Sequence, residues 1–359
     1  MTNKKIKGGV MDTCFLNRGQ GKKKHSFLRL VFVLVLVFSV CPVFAQRKIS
    51  IKLASLVPEN TAWGLAINRM AADWARVTNG EVEVIVYHNG TAGDEPEVMR
   101  KLRMNQIQAA VFTSSGMNSV MPEVMAISYP FLIRNNAELD TVLGRIRPDL
   151  DARIQQNGFI TLVWAKAGWI KIFSKSPVAV PNDLRRMKLG TGTGDQEMLQ
   201  AFRMMRYQMV PINLSEVLNA LNSGMIEAVY QSPVYVAGNQ IFGITKNMAN
   251  INVAPFMGGI LMNNTAWRRI PDRYKPQLLE VCKQMENSLE SSIANLESEA
   301  VSIMVRHGLI INELSPQQEQ EWYTDIAGFE SRLVGANPIF NREYYQKISA
   351  ILTEYRRGR

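Results

Sequence analysis

The chain has 359 residues, 47% of them hydrophobic, with 41 Lys/Arg against 31 Asp/Glu and a formal net charge of +10. That length is enough for two α/β domains. The positive charge is not a nucleic-acid footprint. Eight of the basic residues and a single acid, Asp12, fall within residues 1–45, the remainder holds 33 basic and 30 acidic residues, and no basic stripe with interleaved aromatics follows.

The first element is a leader. Lys22, Lys23, Lys24 and Arg29 form a positive segment, Leu30–Val40 is apolar, and Val43-Phe44-Ala45 offers a small-residue cleavage site before Gln46. The apolar run is short of the ~20 residues of a membrane span, so a cleaved signal peptide at 1–45 and a periplasmic destination are expected. An uncleaved anchor is the alternative. A lipid anchor at Cys41 is a third, against which stands the bulk of Val40. Met11 is a second candidate start that leaves the leader intact. Cleavage removes Cys14 and Cys41 and leaves Cys282, so the mature chain can form no internal disulfide; Cys282 lies on an apolar helical stripe and reads as a buried, inert thiol.

Lys48–Leu53 alternates like a strand, and Trp63, Ile67, Met70, Trp74 and Val77 follow at helical spacing up to a C-cap signal at Asn79-Gly80. Glu81–Tyr87 predicts a second strand, Glu95–Met104 a helix, and Ala109–Phe112 a buried strand, an order that implies an open α/β sheet. Pro122–Phe131 is an apolar crossing segment, and Phe159–Ala165 and Ile170–Phe173 read as strands leaving the first domain. A second α/β unit follows: strand Met187–Leu189, helix Asp195–Arg206, strand Gln208–Val210, helix Ser215–Asn222 with Asn213 as a further candidate N-cap, and strand Ile226–Val229. From Pro271 to Arg306, Leu278, Cys282, Met285, Leu289, Ile293, Leu296, Ala300 and Ile303 step by three and four. Such a helix would run ~50 Å and is expected to pack across both domains; a coiled coil is the alternative, but the flanking charges are irregular. Glu343–Arg359 predicts a surface helix.

Catalytic and metal signatures are weak. Outside the leader the histidines are His88 and His307, in no metal-ligand spacing, and no Ser/His/Asp set or G-x-S-x-G elbow can be nominated, so no enzyme, metal or cofactor is expected. Gly190-Thr191-Gly192-Thr193-Gly194 invites a dinucleotide reading, but the third glycine of that fingerprint would fall on Glu197, whose charge repels a pyrophosphate. What remains is either a simple tight turn or a set of backbone N–H groups that can take a polar ligand atom at a helix N-terminus.

Several landmarks come in one order: Gly93–Glu95; PEVMAISYPFLI at 122–133; Pro181-Asn182-Asp183-Leu184; Lys188; Pro211; Ser215-Glu216; the Leu221 to Gly224 turn; Glu227; Trp267 and Pro271 before the long helix; and His307-Gly308. In this order and spacing the chain resembles the solute-binding proteins of TRAP transporters, the DctP-type extracytoplasmic receptors. The resemblance implies a two-lobed α/β periplasmic-binding-protein fold with a long interdomain C-terminal helix. Lobe I would comprise residues 46–168 plus about 253–290, lobe II residues 169–252 plus about 306–359, with helix 271–306 spanning both. A small-molecule ligand would sit in the interdomain cleft and pass to the membrane subunits of a TRAP permease. Some relatives also recruit a helical-repeat periplasmic protein.

Carried over residue by residue, the family's carboxylate-clamping arginine falls at Gly190 and a second arginine of some members at Ile170. First-lobe contacts fall at Met117, beside Ser114, and at Leu56. An aromatic contact falls at Leu214, an asparagine at Gln231, and Glu95 keeps an acid. The trend from charged to apolar residues, and the volume freed by glycine at 190, imply a ligand larger and more apolar than a dicarboxylate, in a hydrophobic cleft of Leu56, Met117, Trp169, Ile170 and Leu214, with Gln231 or Ser114 orienting a polar group. The alternative is an exported scaffold protein that kept the fold and lost its transport ligand.

Overall fold

The computed structural model describes residues 48–192, 196–213, 216–335 and 339–358. The expected leader lies outside them.

One mixed sheet runs through the molecule. Its strands are β1 (Ile49–Ala54), β2 (Val82–Tyr87), β3 (Ala109–Thr113), β4 (Phe159–Ser174), β5 (Lys188–Gly192), β6 (Gln208–Ile212), β7 (Ala228–Gln231), β8 (Asn247–Asn263) and β9 (Ile310–Asn312). The order is β2-β1-β3-β8-β4-β7-β5-β6, with β9 beside β8. Parallel β1–β3 make the sheet of lobe I, and parallel β5–β7 that of lobe II. Between them β4 and β8, of 16 and 17 residues, run antiparallel through both lobes.

The two crossing strands are irregular where the lobes meet. Lys166 pairs with Met257 and Trp169 with Pro255, so Ala167 and Gly168 bulge opposite Phe256. Gly168 has φ +100, a backbone conformation that side chains other than hydrogen rarely allow. A bulge frees N–H groups and bends the strand. These strands were expected as two short pieces of β4, with no strand at 247–263; the register shifts break the two-residue alternation that would have marked them as continuous.

Helices cover the sheet on both faces. In lobe I these are α1 (Ala62–Val77), α2 (Glu95–Arg103), α3 (Ser114–Asn118) and α4 (Asn136–Gln156). In lobe II they are α5 (Gln196–Met204), α6 (Val217–Asn222) and α7 (Pro233–Gly238). Helix α1 is capped by Thr61 and buries Ile67, Met70 and Trp74, three of the five positions whose spacing predicts it. Helix α4 has no counterpart among the predicted elements. Pro148 inside it argues against a helix, but Leu139, Val142, Ile146, Leu150 and Ile154 form one buried stripe that outweighs the lost hydrogen bond.

The long helix α8 (Lys275–Arg306) spans both lobes, as its periodicity implies. It packs on α1 in lobe I, along β4, and on α7 in lobe II. Among the described residues, one edge of β4 has no strand partner where it runs through lobe I, and α8 supplies acceptors for it. Glu286 accepts the Trp164 N–H at 2.6 Å and Glu297 the Trp169 N–H at 2.8 Å, while Lys166 pairs with Glu290. Covering an edge in this way protects it from pairing with another chain. Cys282 is 1% exposed, and burial pushes its thiol up to about 12, as an inert core residue requires.

The C-terminal segment does not stay with lobe II. Helix α9 (Pro316–Ala327) packs there, through Trp322 donating to the Ala179 carbonyl and Arg185 pairing with Asp325. Helix α10 (Arg342–Arg357) instead lies on α4 of lobe I, burying Tyr344, Ile348, Ile351 and Leu352. The assignment of 306–359 to lobe II is therefore corrected: the apolar stripe of α10 is matched by that of α4.

Candidate functional site

Between the lobes, beside the bulged crossing strands, lies a cavity of 670 Å³. Lobe I contributes Glu95 from the start of α2, Thr113, Ser114 and Ser115 around the start of α3, and Met125 and Ser128 from a 3-10 turn at Pro122–Ser128. Lobe II contributes Gly192, Met198, Asn213, Tyr230, Gln231, Ser232 and Tyr235. The crossing strands supply Ile170, Ala254, Pro255 and Phe256.

Local folding explains how these groups reach the wall. Asp94 caps α2, which sets Glu95 at its first turn. The Glu95 carboxylate accepts the Thr113 backbone N–H at 2.5 Å and the Thr113 hydroxyl at 2.9 Å. Gly116 permits this approach, since a β-carbon there would lie 2.7 Å from the Glu95 carboxyl carbon. Ser114 donates to the Met257 carbonyl at 3.1 Å, tying α3 to β8. On the other side Ser232 caps α7 and holds Tyr235 against the wall, and burial raises the Tyr235 phenol, keeping it a neutral hydroxyl. Asn118 of lobe I donates to Glu197 of lobe II at 2.7 Å, a hydrogen bond across the cleft one residue from the wall residue Met198.

The wall holds hydroxyls, amides, aromatics and methionines around one carboxylate. Among the described residues it carries no lysine, arginine or histidine. Segments 193–195 and 214–215, which adjoin wall residues in the chain, read Thr-Gly-Asp and Leu-Ser and contain no cation either. Arg203 and Arg206 are exposed elsewhere, the latter over the Phe329 ring. Lys171, next to Ile170 at a register shift of β4 and paired with Gln231 of β7, is not among the lining residues; its ammonium reaches Asn250 at 3.4 Å and feels the charges of Glu297 and Glu313.

Of the residues nominated from the sequence, Glu95, Ser114, Ile170 and Gln231 line this cavity together. Leu56 lines a smaller adjoining pocket. Leu214 lies outside the described residues. The other three point elsewhere. Met117 is 0% exposed in the lobe I core, close to Gly259. Trp169 occupies the strand face opposite Ile170, where its indole N–H donates to Asn136 at 2.7 Å. At Gly190 a β-carbon would lie 2.6 Å from Ile226 Cδ1 and 3.6 Å from Val229 Cγ1, so the volume expected to be free for ligand is already filled by core. Tyr230, Tyr235, Asn213 and Phe256 were not foreseen. Tyr230 and Asn213 each adjoin a nominated residue, whereas Phe256 lies in the strand whose irregular register hid it.

The family described as bacterial extracellular solute-binding protein, family 7, matches residues 53–329. The chain belongs to that family. It is similar over 303 residues, at 23% identity, to a solute-binding protein of Verminephrobacter eiseniae, covering 84% of this chain and 87% of the relative. Its fold is that of a TRAP periplasmic solute binding protein from Chromohalobacter salexigens solved with D-glucuronate bound, at TM-score 0.75, 17% identity and coverage of 84% of this chain and 99% of that one. A protein of the same kind from Sulfurospirillum deleyianum, solved with succinate, superposes at TM-score 0.71 with 21% identity, covering 84% and 98%. Those relatives hold acids. The expectation of a hydrophobic cleft is corrected accordingly: the wall here is mixed, with seven serine, threonine, asparagine and glutamine side chains among its lining.

Proposed function

We propose that this chain is the exported receptor of a TRAP importer, that its leader is a signal peptide, and that its ligand is an uncharged, partly apolar small molecule delivered to the membrane permease. One observation carries the reading of the ligand: among the described residues, the interlobe wall presents Glu95 and no cation. A carboxylate bound here would lose its hydration without an arginine fork to replace it. Neutral hydroxyl, carbonyl or amide groups can pair with Asn213, Gln231 and the serines, while Ile170, Met125, Met198 and the aromatics cover apolar carbon. A cavity of 670 Å³ between two lobes also favours capture over a purely scaffolding role.

The test is direct. The protein purified without its leader is denatured, and the released small molecules are identified by mass spectrometry. Succinate and D-glucuronate are titrated calorimetrically against protein stripped of ligand. The expected result is a stoichiometric neutral compound and no heat from either acid at millimolar concentration. Submillimolar binding of either acid overturns the reading.

A further inference from the structure

Beside the main cavity lies a second pocket of 170 Å³ whose character differs sharply. Leu56, at the end of β1, and Trp63, in the first turn of α1, form one side, and Ala167 and Phe256 of the crossing strands form the other. Glu95 and Phe256 belong to both pockets, as does Thr113, so the two adjoin. Leu56 is 44% exposed and Phe256 36% exposed. Two large apolar side chains facing solvent at the mouth of a cavity are surface that an apolar group would remove from water. The Glu95 carboxylate turns its oxygens to Thr113, which leaves the pocket's remaining wall to hydrocarbon and aromatic carbon.

We propose that the captured ligand is bipartite: an uncharged hydrogen-bonding head in the main cavity, and a hydrocarbon tail that occupies the pocket of Leu56, Trp63, Ala167 and Phe256. This rests on the uncharged-ligand reading above. The occupant is the tail of the bound molecule rather than a separate partner, because the pocket adjoins the main cavity and shares Glu95, Thr113 and Phe256 with it. Its position matters too. Ala167 and Phe256 face each other at the bulge where the crossing strands pass from one lobe to the other. A tail seated there touches both crossing strands at the bulge, and tail length becomes a determinant of affinity.

The experiment uses 1-alkanols and n-alkanoates of four to ten carbons, titrated calorimetrically into the protein without its leader, with Trp63 emission as a local reporter. Each added methylene of the alkanols is expected to raise affinity about fourfold, from ~0.8 kcal/mol per buried CH2, until the pocket is full. Leu56→Asp, at an exposed position outside the main cavity wall, should weaken 1-octanol at least tenfold and leave 1-butanol within twofold, and Phe256→Ser should weaken 1-octanol at least tenfold. A Trp63→Phe variant should bind 1-octanol with the emission change lost. If both pocket variants leave the chain-length series unchanged, or if no alkanol binds at its solubility limit, the tail assignment is overturned, whatever neutral compound co-purifies. If octanoate binds as tightly as 1-octanol and the variants still flatten both series, the tail assignment stands and the uncharged-head reading falls.

Discussion

The cleft and the C-terminal strap handle charge in opposite ways. Where α10 lies on α4, Arg145 pairs with Glu354, Arg153 with Glu123 and Glu343, Lys347 with Asp149, and Arg356 with Glu138. The wall of the interlobe cavity has no cation among its described residues and one carboxylate. Both regions bring lobe-bearing elements together, but one does so with guanidinium forks and the other with neutral hydroxyls, amides and aromatic carbon. At the strap Arg145, Arg153 and Arg356 act as ties between elements, and under the proposed reading of the ligand its selection falls to shape and neutral hydrogen bonding.

The strap should show the largest effect. Arg356 donates to both oxygens of Glu138 at 2.8 Å and to the Leu132 carbonyl, and the Glu138 side chain is 5% exposed. Burial works to raise the Glu138 pKa, but the Arg356 hydrogen bonds and the Arg134 backbone N–H outweigh it and hold the carboxyl below its usual range. Arg356→Ala leaves a buried carboxylate without its main partner and should cost about 3 kcal/mol, lowering Tm by roughly 5–10 °C at pH 7. The sign follows from linkage. A depressed folded-state pKa contributes stability that is present above the unfolded pKa and is lost as pH falls through the folded one. The gap between wild type and variant should thus narrow below about pH 4 in thermal melts. An unchanged gap at acid pH would mean that the strap is held by packing alone.

Restoring a cation to the cleft side tests the comparison from the other direction. Gly190→Arg would place a β-carbon against Ile226 Cδ1, so the variant should lose about 1–3 kcal/mol in denaturant unfolding and should not gain succinate binding. Gly190→Arg with Ile226→Ala should recover only part of that stability. Succinate binding by the single variant would show that the arginine can reach the cavity and that its absence alone sets the ligand.

How much of this was legible in the sequence depends on regularity. Helix α8 and helix α1 bury stripes at clean three- and four-residue spacing, and their positions follow from that spacing. The crossing strands do not alternate cleanly, because the bulge at Ala167 and Gly168 shifts register, and Phe256 was missed with them. Family position located the region of the site but not side-chain direction. Trp169 and Ile170 are neighbours on a strand and face opposite sides, so only one of them could meet a ligand. Gly190 likewise faces Ile226 and Val229, which a strand position without a register cannot show.

The hydrogen bond from Asn118 to Glu197 offers a smaller test, confined to the cleft. Asn118→Asp sets two carboxylates against each other in place of a donor and an acceptor. The expected cost is about 1 kcal/mol of preference for the present lobe arrangement. The radius of gyration from small-angle scattering should rise. Adding Glu197→Gln restores a donor with the roles exchanged and should bring it back. An unchanged radius in Asn118→Asp would show that the lobes are held by the strap and α8 without help from the cleft.

The subtlest effect is expected at the hinge formed by the bulged crossing strands, where the Glu297 carboxylate accepts a backbone N–H. Burial raises the Glu297 pKa; the Trp169 N–H and the charge of Lys171 oppose it and do not cancel it. Lys171 is shifted the other way, downward by its own burial against the pull of Glu297 and Glu313. For an acid whose folded pKa is raised, the stability contribution is full below the unfolded pKa and is lost as pH rises through the folded value, because ionisation then costs more in the protein than in the open chain. Glu297→Gln keeps an oxygen to accept the Trp169 N–H and removes the charge. In thermal melts it should match wild type near pH 4 and exceed it at pH 7 and above. Such a gain would separate the hinge from the strap in one measurement: carboxylates paired with arginine stabilise this protein when ionised, and the carboxylate under Gly168 holds its strand by hydrogen bonding while its charge works against it. A loss of stability at pH 7 would instead assign the ionised Glu297 to a productive pair with Lys171, and the two regions would then differ in degree only.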